Sequence, residues 1–189
     1  MITPQLLKAV FDRGLSYDQY VAGGTADQRE SWSRVFSRIA LAPVQRELVA
    51  SFKRNMPVLV TSGLWCGDCS AQCPMLARIA AANACIELRF VDRDREKELA
   101  ERVRICGGLR VPTVIFMNED FEFVALRGDK SLSRLRAIAA RQIGAACAVP
   151  WAETPPDEAS ATLSDWLGDF EQTHLTLRLS PRLRERHAD

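Results

Sequence analysis

Cys66 and Cys69 are separated by two residues in the stretch Trp65-Cys66-Gly67-Asp68-Cys69. An apolar run at positions 58–60 precedes this stretch, and a pattern typical of a helix follows it. A cysteine at a strand-to-helix junction lies beside unpaired N–H groups and the positive end of the helix dipole, and both stabilise a thiolate. The spacing therefore predicts a reactive dithiol at the start of a helix.

A third cysteine, Cys73, follows Cys69 by four residues and falls on the same face of the predicted helix. Two interpretations stay open. It is either a small buried hydrophobic side chain, the commoner role of a free cysteine, or a second resolving thiol that relays oxidation from Cys69. Cys85, Cys106 and Cys147 have no matching spacing, so we interpret them as buried or incidental thiols.

Metal binding is the alternative use of the clustered cysteines. Cys66, Cys69 and Cys73 offer three thiolates, whereas a structural zinc site normally has four ligands. Asp68 is a candidate fourth ligand, but both histidines belong to the C-terminal segment and lack paired ligand spacing. We therefore expect no metal and no cofactor.

Composition limits the possible partners and compartment. The formal net charge is +1, from 25 basic and 24 acidic side chains, which gives no reason to expect nucleic acid or a membrane as partner. An arginine-rich tail over residues 178–186 is the local exception, and we expect it to be solvated and frayed. No apolar run long enough to span a membrane occurs, and the N-terminus lacks the features of a signal peptide. We therefore expect a cytoplasmic protein whose six cysteines do not form a disulfide framework.

Hydrophobic periodicity predicts how the chain is organised. Helices are expected through residues 3–55, with Ser16 and Gln19 resembling a capping box. From residue 57 the order is strand, helix, strand, helix, strand, strand, helix, and the predicted bounds of the later elements are 69–83, 86–91, 92–105, 111–117, 121–126 and 131–148. Two strand–helix units predict parallel pairing, and the turn at 118–120 predicts an antiparallel hairpin. We expect a mixed sheet with helices on both faces.

The C-terminal part is predicted to contain a proline-marked linker followed by one more helix over residues 157–179. The expected organisation is therefore a helical N-terminal extension over residues 1–55, a central domain over 56–148, and a linker with a C-terminal helix over 149–189.

With these elements in place, the chain resembles the thioredoxin superfamily over roughly residues 50–148. Besides the dithiol, Pro74 falls five residues after Cys69, as in the kinked helix of that family. Val111-Pro112-Thr113 resembles the family's cis-proline loop, and a hairpin, Gly128 and a final helix complete the match. The expected fold class is α/β, a thioredoxin-like mixed central sheet flanked by helices, with added helices at both ends.

The resemblance implies a site for dithiol–disulfide exchange. Cys66 would be the attacking thiolate and Cys69 the resolving thiol. Pro112, in the cis form, would face the dithiol and leave the backbone of Val111 free to pair with an extended substrate segment. The supporting residues at the dithiol itself would be Trp65, Gly67 and Asp68.

Two departures from the family pattern bear on the chemistry. Asp68 stands where thioredoxins usually have proline, and its negative charge is expected to make Cys66 less acidic. The strand before the dithiol, at positions 58–61, lacks the family's buried aspartate. Proton transfer to and from Cys69 would then need water, Asp68 or another group.

We therefore expect a thiol–disulfide oxidoreductase that exchanges its dithiol with protein or small-thiol disulfides, working as a reductant. Its partners would be a protein disulfide client and a reducing partner. A redox-responsive binding module with little turnover is the alternative, and a structural metal-binding protein is the third hypothesis.

Overall fold

The computed structural model describes residues 2–142 and 157–188. The helices before the sheet are α1 (Pro4–Arg13), α2 (Tyr17–Ala22), α3 (Ala26–Arg38) and α4 (Pro43–Ala50). The sheet and its connecting helices are β1 (Met56–Ser62), α5 (Gly67–Ala80), β2 (Ile86–Asp92), α6 (Lys97–Arg102), β3 (Thr113–Met117), β4 (Phe123–Gly128) and α7 (Leu132–Gln142). The chain continues with α8 (Glu158–Leu179) and α9 (Pro181–His187).

The four strands form a sheet in the order β2-β1-β3-β4. β1 and β2 are parallel, from Met56 opposite Ile86 to Ser62 opposite Asp92. β3 is antiparallel to both β1 and β4, which confirms the predicted hairpin and mixed sheet. The prediction of parallel pairing, which holds for β1 and β2, was wrong for β3. The connection after α6 leads to the end of the sheet at which β1 ends. β3 therefore begins there, with Thr113 opposite Thr61, and runs in the opposite direction to β1.

The core lies on both faces of the sheet because successive side chains of β1 alternate between them. Val58 and Val60 pack in one cluster with helices α3, α5 and α8. Leu59 belongs to the other cluster, with Leu7 of α1 and Leu99 of α6. The predicted arrangement of helices on both faces is therefore confirmed.

The N-terminal helices start and end where the local sequence specifies. The Ser16 side chain accepts a hydrogen bond from Gln19 N–H, and the Gln19 side-chain oxygen accepts one from Ser16 N–H, so the predicted capping box is confirmed. Trp32 of α3 has no exposed surface and lies in the cluster that contains Val60. These helices thus share a core with the sheet.

The helix predicted over 92–105 is shorter than expected. The Asp92 carboxylate accepts hydrogen bonds from the N–H groups of Asp94 and Arg95, 2.9 and 3.1 Å away. Such side-chain-to-backbone bonds favour a turn over a helix, so α6 begins only at Lys97. Beyond α6, Cys106 and Gly107 have positive φ angles, and the chain turns back toward the dithiol.

The C-terminal helix predicted over 157–179 is confirmed as α8, whereas residues 143–148 and the proline-marked linker lie outside the described residues. The expectation of a frayed arginine-rich tail was wrong. Arg178 belongs to the last turn of α8, and the following residues form α9, in which Leu183 is buried, Arg182 pairs with Glu122, and Arg186 lies 3.2 Å from Asp120. Among the described helices, none is both long and apolar enough to cross a bilayer.

Candidate active site

The dithiol lies at the junction of β1 and α5. Cys66 is the residue that precedes the first turn of α5, with an extended backbone conformation. Cys69 lies one turn further on and has no exposed surface, whereas Cys66 is half-buried. One thiol is thus presented at the end of the sheet and the second is enclosed behind it.

The Cys66 thiol faces the loop that leads into β3. Its Sγ donates a hydrogen bond to the carbonyl oxygen of Val111, 3.6 Å away. The peptide bond between Val111 and Pro112 is cis. Thr113 Oγ1 donates to the carbonyl of Arg110 at 2.8 Å, which holds this loop in a tight turn. Residues 45 positions apart in the chain therefore meet at one site.

Both thiols have raised pKa values. Contact with the Cys69 sulfur, then burial, raises the pKa of Cys66, whereas the backbone N–H groups of Cys69 and Asp68 lower it. Burial is the main cause that raises the pKa of Cys69. The predicted lower acidity of Cys66 thus has causes other than the Asp68 carboxylate.

The Asp68 carboxylate is held in ion pairs with the loop and helix that follow β4. Its two oxygens lie 2.5 Å from Arg134 of α7 and 3.2 Å from Lys130. Arg134 also pairs with Glu158 of α8 at 2.9 Å. Neighbouring cations balance the charge of Asp68, and the pairs connect the dithiol helix to α7 and α8. No sequence signal near Asp68 indicates these partners, since Arg134 is 66 residues away.

Trp65 forms an exposed aromatic surface beside Cys66. Just over half of its side chain, 55%, is exposed, and the guanidinium of Arg93 lies 4.8 Å from the ring centroid. A Cβ atom at position 63 would lie 2.7 Å from the Trp65 ring, so Gly63 allows the ring to fold back over the loop. Gly67, the first residue of α5, has no neighbour within 4 Å of its Cβ position.

The N-terminal extension also supports the dithiol loop. Trp32 Nε1 donates a hydrogen bond to the carbonyl of Leu64 at 3.3 Å. On the other side, the buried Gln72 of α5 donates to the carbonyl of Asp129 at 2.8 Å. Trp32 therefore packs in the core and also contacts the loop that carries the dithiol.

The remaining cysteines are dispersed. Cys73 is fully buried, with its Sγ 3.7 Å from Ser62 Oγ. Cys85 is half-buried and Cys106 is exposed, while Cys147 lies outside the described residues. Within residues 2–142 and 157–188, no three metal-ligating side chains gather into a cluster.

Fold and site together define a thioredoxin-like α/β protein with a dithiol at the β1–α5 junction. A thioredoxin family model matches residues 14–129, more than half of the chain, and the protein belongs to that family. No curated protein matches this sequence.

Two solved structures share the fold over nearly their whole length. A Pseudomonas aeruginosa protein of unknown function is 22% identical, with a TM-score of 0.64 over 89% of this chain and 99% of that chain. An HIV epitope scaffold is 21% identical, with a TM-score of 0.63 over 85% of this chain and 97% of that chain. At this level of identity the similarity shows a shared fold and does not indicate an activity.

Proposed function

We propose that this protein is a thiol–disulfide oxidoreductase that reduces disulfides of protein or small-thiol clients through Cys66 and Cys69. The observation that carries the proposal is the position of Cys66, which begins α5 with its sulfur 3.6 Å from the Val111 carbonyl. A client disulfide that approaches this sulfur also meets the backbone of the Val111 loop. Helix N–H groups and a second thiol within one turn supply the other requirements of exchange.

The exchange has two steps. The Cys66 thiolate attacks one sulfur of the client disulfide, forming a mixed disulfide and releasing the first client thiolate. Cys69 then loses its proton and attacks Cys66 Sγ, which forms the Cys66–Cys69 disulfide and releases the second client thiolate. Both client thiolates take up protons, so the client gains two thiols while the protein loses two. A reducing partner of the dithiol class restores the protein by the reverse chemistry.

The raised thiol pKa values support the reducing direction. A dithiol protein becomes a strong oxidant when its reduced form is stabilised, for example by a thiolate of very low pKa. The pKa of both Cys66 and Cys69 is raised instead. The dithiol therefore lacks the low-pKa thiolate that is typical of a strong oxidant.

Insulin reduction by dithiothreitol tests this function. Wild type is expected to accelerate insulin precipitation, and Cys66→Ser is expected to remove the acceleration. Cys106→Ser is the matched control, because Cys106 is an exposed thiol outside the dithiol site. Turnover that persists in Cys66→Ser, or that Cys106→Ser abolishes, contradicts the assignment.

A redox-responsive binding module is the second candidate. The ion pairs that run from Asp68 through Arg134 to Glu158 favour it, because they connect the dithiol helix to α8. This function predicts a partner whose affinity changes between the dithiol and disulfide forms while insulin turnover stays at background.

A further inference from the structure

An open surface surrounds the Cys66 sulfur, formed by the dithiol loop and the loop that precedes β3. The guanidinium of Arg93 joins the two loops, because it lies 4.8 Å from the centroid of the Trp65 ring and donates a hydrogen bond to the carbonyl of Leu109 at 3.1 Å. Trp65 and Leu109 are 55% and 37% exposed. A client of the proposed function would lie on this surface, because the Cys66 sulfur and the Val111 carbonyl meet there.

Arg110 is the cation of this surface that has the weakest partner. It lies between Leu109 and Val111, its side chain is 53% exposed, and its Nη1 is 3.7 Å from a carboxylate oxygen of Asp129. That separation is beyond hydrogen-bond distance, so the two groups attract each other only weakly across an exposed surface. Asp129 therefore leaves the N–H donors of Arg110 available.

The carboxylates near the dithiol have closer cations than Arg110. Lys130 Nζ lies 2.8 Å from the same oxygen of Asp129 and 3.2 Å from Asp68. Asp68 is also paired with Arg134 at 2.5 Å. Because these contacts already balance both carboxylates, Arg110 is the cation that can take a further anion.

The paired side chains form a row of alternating charge that we call the charge row, in the order Arg110, Asp129, Lys130 and Asp68. One end of the charge row adjoins Val111, whose carbonyl accepts the hydrogen bond of the Cys66 thiol. The other end, Asp68, lies two residues after Cys66 in α5 and is about a quarter exposed. The end beside Val111 is thus positive and open to solvent, whereas the end in α5 is neutralised by Arg134.

We propose that Arg110 is a specificity-determining residue that selects clients with a carboxylate close to their disulfide, such as an extended peptide with an acidic side chain beside its cysteine. The proposal deepens the function proposed above and rests on it, because it names the class of disulfide that Cys66 attacks. A client segment that pairs with the backbone of Val111 brings its neighbouring side chains to Arg110. The guanidinium then binds a carboxylate, whereas it repels an ammonium group.

Arg110 takes no part in the covalent step. The Cys66 thiolate attacks one client sulfur, the Cys66–client S–S bond forms as the client S–S bond breaks, and the electron pair leaves with the second client sulfur. That sulfur takes up a proton from solvent, and no further oxidant is needed. Arg110 should therefore change the rate of mixed-disulfide formation and leave the later attack by Cys69 unchanged.

Small disulfides that share the same ethylene arm test this selection, because they differ mainly in charge. Dithiodipropionate is a dianion, hydroxyethyl disulfide is neutral, and cystamine is a dication. Each is mixed in excess with the reduced full-length protein, and acid quench with mass spectrometry gives the rate constant for loss of the reduced form. The ratio of variant to wild type for each disulfide cancels differences in intrinsic reactivity.

Arg110→Gln should lower the rate constant for dithiodipropionate about fivefold, which is the upper range for an exposed ion pair. The rate constant for cystamine should rise, and that for hydroxyethyl disulfide should keep its wild-type value. Arg110→Lys should retain most of the rate with dithiodipropionate, because it keeps the charge. In wild type, added salt should slow the reaction with dithiodipropionate, because it screens exposed charges.

Lys8→Gln is the matched control. Lys8 is 55% exposed, so this variant removes an equally exposed cation and changes the net charge by the same amount. Lys8 lies over the Phe121 ring, at the turn between β3 and β4 and thus at the opposite end of the sheet from Cys66. All the rate constants of Lys8→Gln should match those of wild type.

Equal slowing of Arg110→Gln with every disulfide contradicts a role in specificity and shows a structural role instead. An unchanged rate with dithiodipropionate, or the same loss in Lys8→Gln, also overturns the proposal. If Arg110→Gln does not fold, the salt dependence of wild type decides, and a reaction with dithiodipropionate that salt does not slow refutes the selection. Failure of the proposed function has a different signature, since wild type would then form no mixed disulfide at Cys66 with any of these compounds.

Discussion

The buried resolving thiol should make the stability of the reduced protein fall as pH rises. Cys69 has no exposed surface, and burial raises its pKa in the folded state. In the unfolded chain a thiol ionises near pH 8.5. Above that pH the unfolded state has lost a proton that the folded state keeps, so stability is fully present below about 8.5 and falls above it.

The magnitude follows from linkage for one thiol that stays protonated in the fold. One pH unit above the unfolded pKa, at about pH 9.5, the loss is RT ln 11, about 1.4 kcal/mol, and below about pH 7.5 it is negligible. The Cys66 thiol adds to this loss, because its contact with Cys69 raises its pKa too. The disulfide form lacks both contributions.

Urea unfolding of the reduced wild type and of Cys69→Ser, from about pH 7 to 9.5 without oxygen, measures the effect. The stability of wild type relative to Cys69→Ser should fall by about 1.4 kcal/mol over this range. Cys106→Ser, which removes an exposed thiol, should keep the wild-type slope. A constant difference between wild type and Cys69→Ser, or one that grows with pH in favour of wild type, refutes the reasoning.

Three further predictions concern the same region. The rate of Cys66 alkylation by iodoacetamide, measured by mass spectrometry, should keep rising beyond about pH 9, because its pKa is raised and only the thiolate reacts; a plateau near pH 7 contradicts this. Trp32→Phe should lower the free energy of unfolding, measured by denaturant titration, by about 1–3 kcal/mol, because a buried hydrogen bond is lost and packing is poorer. Trp65→Phe, at an exposed position, should change it by no more than about 0.5 kcal/mol. A double-mutant cycle with Asp68→Asn and Arg134→Gln should give a coupling energy of about 1 kcal/mol, because both side chains are only about a quarter exposed. A coupling energy near zero would show that solvent screens the ion pair fully.

Local features of the site could be predicted from the sequence. The dithiol, the helix that follows it and the Ser16 capping box each depend on residues within one or two turns. Short-range spacing determines such contacts directly. The turn at Asp92 is also local, yet hydrophobic periodicity predicted a helix from this residue onward, and the hydrogen bonds of one carboxylate favour a turn there instead.

Long-range contacts could not be predicted in this way. The partners of Asp68 lie on α7 and on the loop before it, and Trp32, which contacts the carbonyl of Leu64, lies on α3. Their proximity follows from the packing of whole helices against the sheet, which one sequence does not specify. The direction of β3 is a further case, because it depends on the end of the sheet at which the preceding loop emerges.

The packing of α2 and α3 against β1 has a consequence for protein engineering. Tyr20 and Trp32 fill the same core as Val60, and Trp32 also holds the carbonyl of Leu64. A shortened protein that began at the first strand would lose part of its core and one support of its dithiol loop. Because Leu7 of α1 also packs in the core on the other face of the sheet, the N-terminal helices cannot be removed without loss of core on both faces.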